Sequence, residues 1–365
     1  MTATAPHSAN RRENPLGTDG FEFVEYSSQR PEQLAQLFQR LGFSAVANHR
    51  SKHVTLYRQG GINFILNAEP NSQAEQFTRI HGPSANAIAF RVKDAAHAIR
   101  QLVASGAEPV ASGAGPMELH IPAIKGIGGS LIYLVDRYQD ISIYDVDFRP
   151  IPGVDQRPKG VGLTVIDHLT HNVERGNMDK WAGFYEKLFN FKEIRYFDIA
   201  GKLTGLHSRA MTSPCGKIRI PINESSDDKS QIAEYLKDHN GEGIQHIALA
   251  TDDIYTAVER LRAQGVSFMD TPDTYYAKVD QRLPGHRENL DRLRRNRILI
   301  DGEPLDKVGR EDLLLQIFTD TVIGPIFFEI IERKGNDGFG EGNFKALFDS
   351  IEEDQIRRGV LKPSA

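Results

Sequence analysis

Ala87-Ile88-Ala89-Phe90-Arg91-Val92-Lys93-Asp94 and His246-Ile247-Ala248-Leu249-Ala250-Thr251-Asp252-Asp253 are two copies of one pattern. Each is a short apolar run that leads into an amphipathic stretch, Ala95 to Ala104 in the first copy and Ile254 to Ala263 in the second. Each stretch stops at a glycine, Gly106 or Gly265. Glycine ends a helix at low cost because it takes the left-handed conformation without a Cβ clash. The spacing from Asp to Gly is the same in both copies, so a strand–helix unit is repeated.

A second pair surrounds the first. Phe21-Glu22-Phe23-Val24-Glu25 is followed by a helical pattern from Pro31 to Leu41 and then Gly42-Phe43. Ile166-Asp167-His168-Leu169 is followed by a helical pattern from Met178 to Phe189 and then Asn190-Phe191. The units continue with alternating segments such as His53 to Arg58 and Ile62 to Leu66. Alternation with period two between turn residues predicts antiparallel strands. The chain therefore reads as α+β, with four βαβββ modules starting near residues 20, 84, 163 and 243. The modules pair into two open-barrel domains, joined through Phe148 to Pro158, whose three prolines disfavour regular structure. The expected division is a flexible tail over 1–19, an N-terminal domain over 20–158 and a C-terminal domain over 159–365. A polar insertion from about Thr271 to Arg310 is expected to pack outside the sheet, and Asn343 to Val360 reads as an amphipathic helix.

The 365 residues carry 44 Lys and Arg against 49 Asp and Glu, a net charge of −5. That balance argues against nucleic acid or an anionic membrane as the main partner. The basic run Arg287 to Arg297 is interleaved with acids and leucines and reads as a solvated helix face. One cysteine, Cys215, excludes an intrachain disulfide and a cysteine-built zinc site. Neither an apolar N-terminal leader nor a membrane span is apparent, so a cytoplasmic protein is expected.

Three residues stand out on predicted strands of the C-terminal half: His168, His246 and Glu329 in Phe327-Phe328-Glu329-Ile330-Ile331. Two imidazoles and a carboxylate on one face suit a non-haem Fe(II) site with open positions. The repeat offers an internal control. At the matching places the N-terminal half has Phe23, Ala87 and Tyr133, so all three ligand candidates occur in one half and none in the other. A carboxylate on an apolar barrel face is costly unless it is paired, and a divalent cation relieves that cost. The residue types alone fit Fe, Mn, Co, Ni or Zn. His171, three residues after His168, is expected on the opposite face; His207 lies close to the candidate pocket residues and His286 lies in the insertion. Gly126-Ile127-Gly128-Gly129 and Gly338-Phe339-Gly340-Glu341-Gly342 lack the strand–helix context of a dinucleotide loop. The second better suits a turn that aims Phe339 and Phe344 inward.

Paired βαβββ units with this ligand set resemble the vicinal oxygen chelate superfamily. The fuller resemblance is to the bacterial 4-hydroxyphenylpyruvate dioxygenase family. It rests on Ile166 to Val173, Gly241 to His246, Leu313 to Phe318, Phe327-Phe328-Glu329 with Arg333-Lys334-Gly335, and Gly338 to Phe344. The resemblance implies ferrous iron on His168, His246 and Glu329. It implies a substrate shell of Ser208, Asn223, Gln231, Gln245, Gln316, Phe318, Phe327, Phe339, Asn343 and Phe344, with Gln245, Gln316 and Asn223 as catalytic groups. The implied reaction takes 4-hydroxyphenylpyruvate and O2 to homogentisate and CO2, in tyrosine catabolism, by oxidative decarboxylation, ring hydroxylation and side-chain migration. A C-terminal lid helix and a homo-oligomer, dimer or tetramer, are implied as well. The alternatives on the same scaffold are a 4-hydroxymandelate synthase, an extradiol ring-cleaving enzyme and a metal-free ligand-binding protein. Asn223, Gln231 and Gln316 do not resemble a catechol-cleaving acid–base set, and three retained ligands argue against the metal-free alternative.

Overall fold

A computed structural model describes residues 13–111, 113–115, 117–200, 205–226, 230–303, 311–343 and 346. The first half contains β1 (Phe21–Ser27), α1 (Pro31–Arg40), β2 (Ser44–His49), β3 (Val54–Gln59), β4 (Ile62–Asn67), α2 (Gln73–His81), β5 (Ser84–Arg91), α3 (Ala95–Ala104), β6 (Pro109–Val110), β7 (Ala123–Lys125), β8 (Leu131–Val135), α4 (Ile143–Asp147) and β9 (Phe148–Pro150). The second contains β10 (Leu163–Val173), α5 (Met178–Phe189), β11 (Lys192–Ala200), β12 (Gly205–Thr212), β13 (Arg219–Ser225), α6 (Gln231–Asp238), β14 (Gly243–Thr251) and α7 (Ile254–Ala263). It closes with α8 (Asp273–Tyr276), α9 (Val279–Arg282), α10 (Leu290–Asn296), β15 (Leu299–Glu303), β16 (Asp312–Phe318) and β17 (Phe327–Lys334).

Two curled sheets result, ordered β6-β7-β8-β5-β1-β4-β3-β2-β9 and β11-β12-β13-β10-β14-β17-β16-β15. In each sheet the first strands of two modules pair antiparallel at the centre, β1 with β5 and β10 with β14. The last strand of each module returns parallel to its first, as in β1–β4, β5–β8, β10–β13 and β14–β17. The repeated helices have local causes. Asp94 and Asp253 cap α3 and α7, accepting from His97 N at 2.8 Å and Thr256 N at 3.0 Å.

Strand alternation divides the core. On β17, Phe328 and Ile330 point into the large apolar core that both halves share with α1, α5 and α7. Phe328 stacks on Phe64 of the first half at 5.8 Å between centroids, so aromatic rings weld the halves together. The inner face of the first sheet carries its own apolar cluster, including Phe23, Val54, Ile65, Ala89 and Val135. The inner face of the second holds only a small one of Ala248, Leu314 and Ile331.

Two expectations change. The flexible tail expected over 1–19 is packed from residue 13 onward: Leu16 is 3 % exposed, and Asp19 N donates to Arg91 O at 2.9 Å. A single leucine in a polar stretch gives no periodicity, yet it suffices as an anchor. The insertion expected outside the sheet partly joins it: Leu299–Glu303 pairs with β16 as the edge strand β15, and Tyr275 and Tyr276 are fully buried. Its basic helix α10 does present a charged face, with Arg292 on Glu259 at 2.9 Å and Arg294 on Asp273 at 2.6 Å. The helix expected over Asn343 to Val360 lies, apart from residues 343 and 346, outside the described residues, as does Phe344. Among the described residues, no helix is long and apolar enough to cross a membrane.

Candidate metal centre

β10, β14 and β17 lie side by side, and their register brings the three candidates together. Thr170 pairs with His246, His168 with Ala248, and Ala248 in turn with Glu329. One ligand atom from each of His168, His246 and Glu329 lies within 4.8 Å of the others. Glu329 Oε2 is 3.1 Å from His168 Nε2 and 3.5 Å from His246 Nε2. Metal bonds of about 2.1 Å at right angles would put neighbouring donors about 3.0 Å apart, so the donor set fits a divalent ion. His168 is 2 % exposed, Glu329 3 % and His246 9 %. The second carboxylate oxygen, Glu329 Oε1, is buried without a hydrogen-bond partner among the described residues. A buried acceptor left so is costly unless something further binds there.

Two irregularities in the ladder aim the histidines. The β10–β14 register shifts between Ile166 and His168 and again where Thr170–His246 gives way to His171–Ile244. Such bulges set two consecutive residues against one partner and re-aim side chains. Asp167 thereby reaches its neighbour, with Oδ1 accepting from His168 Nδ1 at 2.8 Å. Gln245 Oε1 likewise lies 3.1 Å from His246 Nδ1. With Nδ1 as donor in each case, Nε2 is left to face Glu329 as a ligand.

Asp167 is the hub of a further network. Arg333 Nε and Nη2 grip Oδ2 and Oδ1 at 2.8 Å each, and Arg219 Nη1 lies 3.4 Å from Oδ2. Arg333 Nη1 also donates to Asn336 O at 2.9 Å and Gly338 O at 2.7 Å, and its guanidinium lies over the Phe339 ring. One arginine thus ties a ligand histidine to the turn that carries Phe339. Burial pushes the Asp167 carboxyl up, but hydrogen bonds from Arg333 and His168 outweigh it and hold the group well below the usual range. Burial also raises the Glu329 carboxyl, yet the charge and hydrogen bond of His168, joined by His246, bring it down to about 2. The carboxylate is thus ionised, as a ligand must be. Burial pushes the His246 imidazole down, toward the neutral form that binds metal.

Aromatic rings surround the donors. Phe327 stacks on His246 at 4.9 Å, Phe318 meets Phe327 edge-on at 6.0 Å, and Phe339 meets His168 edge-on at 5.3 Å. Gln316 is 1 % exposed, and its Oε1 has no partner among the described residues. Asn343 is equally buried; its Oδ1 accepts from Tyr275 Oη at 2.6 Å while Nδ2 stays unpartnered. Gly340 sits at φ +80°, and a Cβ there would lie 1.9 Å from Gln316 Oε1. Only glycine lets the turn approach the carboxamide so closely.

Ser208 and Asn223 pair across β12 and β13, with Asn223 next to Asn172 of β10. Gln231 opens α6 and its side chain is exposed, so the structure does not bring it to the donors. His171 faces away, with Nε2 2.7 Å from Tyr185 Oη. His207 lies against Tyr196, and His286 Nε2 meets Asp280 Oδ1 at 2.9 Å. Asn172, Asp167, Arg333, Gly340 and Tyr275 were not singled out by sequence. Asn172 had a signal: it lies four residues after His168 on the same strand, and both polar atoms of its side chain are buried without partners among the described residues.

The family model described as hydroxyphenylpyruvate dioxygenase, N-terminal, matches residues 12–149. That of the glyoxalase, bleomycin resistance protein and dioxygenase superfamily matches residues 165–279. The chain is 64 % identical over 351 residues to the 4-hydroxyphenylpyruvate dioxygenase of Pseudomonas aeruginosa, covering 95 % of this chain and 97 % of that one. This chain belongs to the 4-hydroxyphenylpyruvate dioxygenase family. A Vibrio vulnificus relative called hemolysin VllY is 67 % identical over 353 residues, covering 95 % of this chain and 98 % of its own. Among solved structures, a fusion of a xylose isomerase-like TIM barrel with a 4-hydroxyphenylpyruvate dioxygenase superposes with a TM-score of 0.77 at 34 % identity. That match covers 93 % of this chain and 54 % of the fusion. The paired-sheet architecture is therefore that of the family.

Proposed function

We propose that this chain is a ferrous dioxygenase that converts 4-hydroxyphenylpyruvate and O2 to homogentisate and CO2, a step of tyrosine catabolism. The observation that carries the reading is the meeting of His168, His246 and Glu329 beside the rings of Phe327 and Phe339. Near-full-length identity to the Pseudomonas aeruginosa enzyme supports it. Catalysis belongs, on this reading, to residues 159–365, while residues 20–158 hold no metal ligands at the equivalent positions.

His168, His246 and Glu329 would hold the iron. Bound there, ferrous iron supplies dioxygen activation and the oxidising power for decarboxylation and ring hydroxylation. The protein supplies position. Phe318, Phe327 and Phe339 pack the substrate ring and exclude water from it. Gln316 and Asn343, each with an unpartnered amide atom, offer hydrogen bonds to the ring hydroxyl and carboxylate oxygens. Ser208, Asn223 and Gln245 complete the polar side. Gln231 joins only if α6 turns its first residue inward. Asp167 and Gln245 keep the ligand histidines in the tautomer that leaves Nε2 free.

The reading is tested with an oxygen electrode. The chain reconstituted with Fe(II) should consume O2 when given 4-hydroxyphenylpyruvate and not when given 4-hydroxyphenylacetate, which lacks the 2-oxo acid. No uptake with the oxo acid, on protein that holds iron, would contradict it.

A further inference from the structure

The N-terminal half repeats the geometry of the metal centre without its ligands. Phe23 pairs with Ala89 and Ala89 with Tyr133, as His168 pairs with Ala248 and Ala248 with Glu329. Glu25 pairs with Ala87 as Thr170 pairs with His246. The ladder shifts at matching places too, between Phe21 and Phe23 and after Glu25. The inner face is nevertheless not filled. A cavity of about 450 Å³ remains, lined by Phe23, Ile65, Tyr133, Glu25 and Asn67 among others. That is the size range of small-molecule sites.

Its chemistry differs from that of the metal centre. The Phe23 and Tyr133 rings lie 5.7 Å apart and form an aromatic wall. Glu25 is 6 % exposed. Its Oε1 accepts from both Asn86 Nδ2 at 2.7 Å and Asn67 Nδ2 at 3.0 Å. Its Oε2 has no hydrogen-bond partner among the described residues. Glu69, Glu118 and Asp147 also line the cavity; Lys52 pairs with Glu118 at 2.8 Å and Arg50, beside the lining, with Asp147 at 3.0 Å, while no ion pair holds Glu25 or Glu69 among the described residues. The lining therefore keeps negative charge at Glu25 and Glu69, and the Glu25 carboxylate borders the cavity.

We propose that this cavity is a second small-molecule site and that it takes an arylalkylamine, with its ring against Phe23 and Tyr133 and its ammonium on Glu25 Oε2. A charge-assisted hydrogen bond in a buried setting is among the stronger polar contacts. Burial pushes the Glu25 carboxyl up in the free protein, and an ammonium ligand would reverse that push. The same carboxylates disfavour an arylpyruvate.

The test is calorimetric titration of the full chain with phenethylamine at neutral pH, beside phenethyl alcohol and phenylacetate. The expected result is one saturable site for the amine, weakened about tenfold or more for the alcohol and absent for the acid. Glu25→Gln should weaken the amine by about tenfold or more while melting and turnover show a folded enzyme. Glu329→Ala should leave amine binding unchanged, which separates this cavity from the metal centre. No saturable binding up to ~10 mM would overturn the proposal. So would equal affinity for amine and alcohol, unchanged affinity in Glu25→Gln, or loss of binding in Glu329→Ala.

Discussion

Asp167→Asn is the substitution that best separates support of the metal from contact with it. Asp167 touches no substrate position; it accepts from His168 Nδ1 at 2.8 Å and from the Arg333 fork at 2.8 Å on each oxygen. Asparagine keeps the shape and one acceptor but loses the charge. Arg333, whose side chain is 15 % exposed, then keeps its charge against carbonyls and one amide oxygen, with Glu329 and Asp337 as the carboxylates still nearby. Breaking a buried pair by removing one partner costs about 3–5 kcal/mol. Because the carbonyls of Asn336 and Gly338 remain, the lower end, about 3 kcal/mol, is expected. At roughly 2–4 °C per kcal/mol the melting temperature falls by about 6–12 °C. Loss of the carboxylate behind a ligand histidine also weakens metal by about 10- to 100-fold. Scanning calorimetry of the iron-free protein reads the first effect, and competition with a chelator of known affinity reads the second. Melting within ~2 °C of the parent together with iron affinity within about threefold would refute the assignment of Asp167 as the support of His168.

Further outcomes follow from the same geometry. Glu329→Ala should abolish turnover and bound iron, whereas His171→Ala should keep iron and cost about 1–3 kcal/mol of stability by stranding Tyr185 Oη, read by metal analysis and urea melts. Gly340→Ala should lower kcat/KM on the order of 10- to 100-fold with iron content unchanged, because the new Cβ displaces the Gln316 carboxamide. Burial raises the folded Glu25 carboxyl above its ordinary value. Between the two values the unfolded chain releases a proton that the folded one retains, so this group's contribution to stability falls as pH rises through that window and stays low above it. Glu25→Gln should therefore melt at a higher temperature than the parent at neutral pH, with a flatter dependence on pH above the ordinary carboxyl range.

The repeat was legible because strand and helix periods and glycine stops survive in single sequences. Ala95–Ala104, Met178–Phe189 and Ile254–Ala263 are helices over the residues that periodicity marks. The convergence of His168, His246 and Glu329 was legible for the same reason, since period-two strands fix which side chains share a face. Other features leave no such trace. α2 and α6 are short helices of low apolar content between strands. A bulge has no residue signature, so nothing in the sequence told that Asp167 would turn onto His168 or Gln245 onto His246. Tyr275 sits in a polar insertion, yet its hydroxyl reaches Asn343 across the fold, a contact between residues far apart in the chain. Gln231 matched a motif by position, but as the first residue of a surface helix it points outward.

The chemistry itself is tested most directly by the aromatic product. Purified protein is incubated with Fe(II), ascorbate, O2 and 4-hydroxyphenylpyruvate, and the product is identified by chromatography and mass. Homogentisate is the predicted result, because it requires ring hydroxylation with side-chain migration in a pocket that holds the ring beside the metal. 4-Hydroxymandelate would contradict the account by moving oxygen insertion to the benzylic carbon.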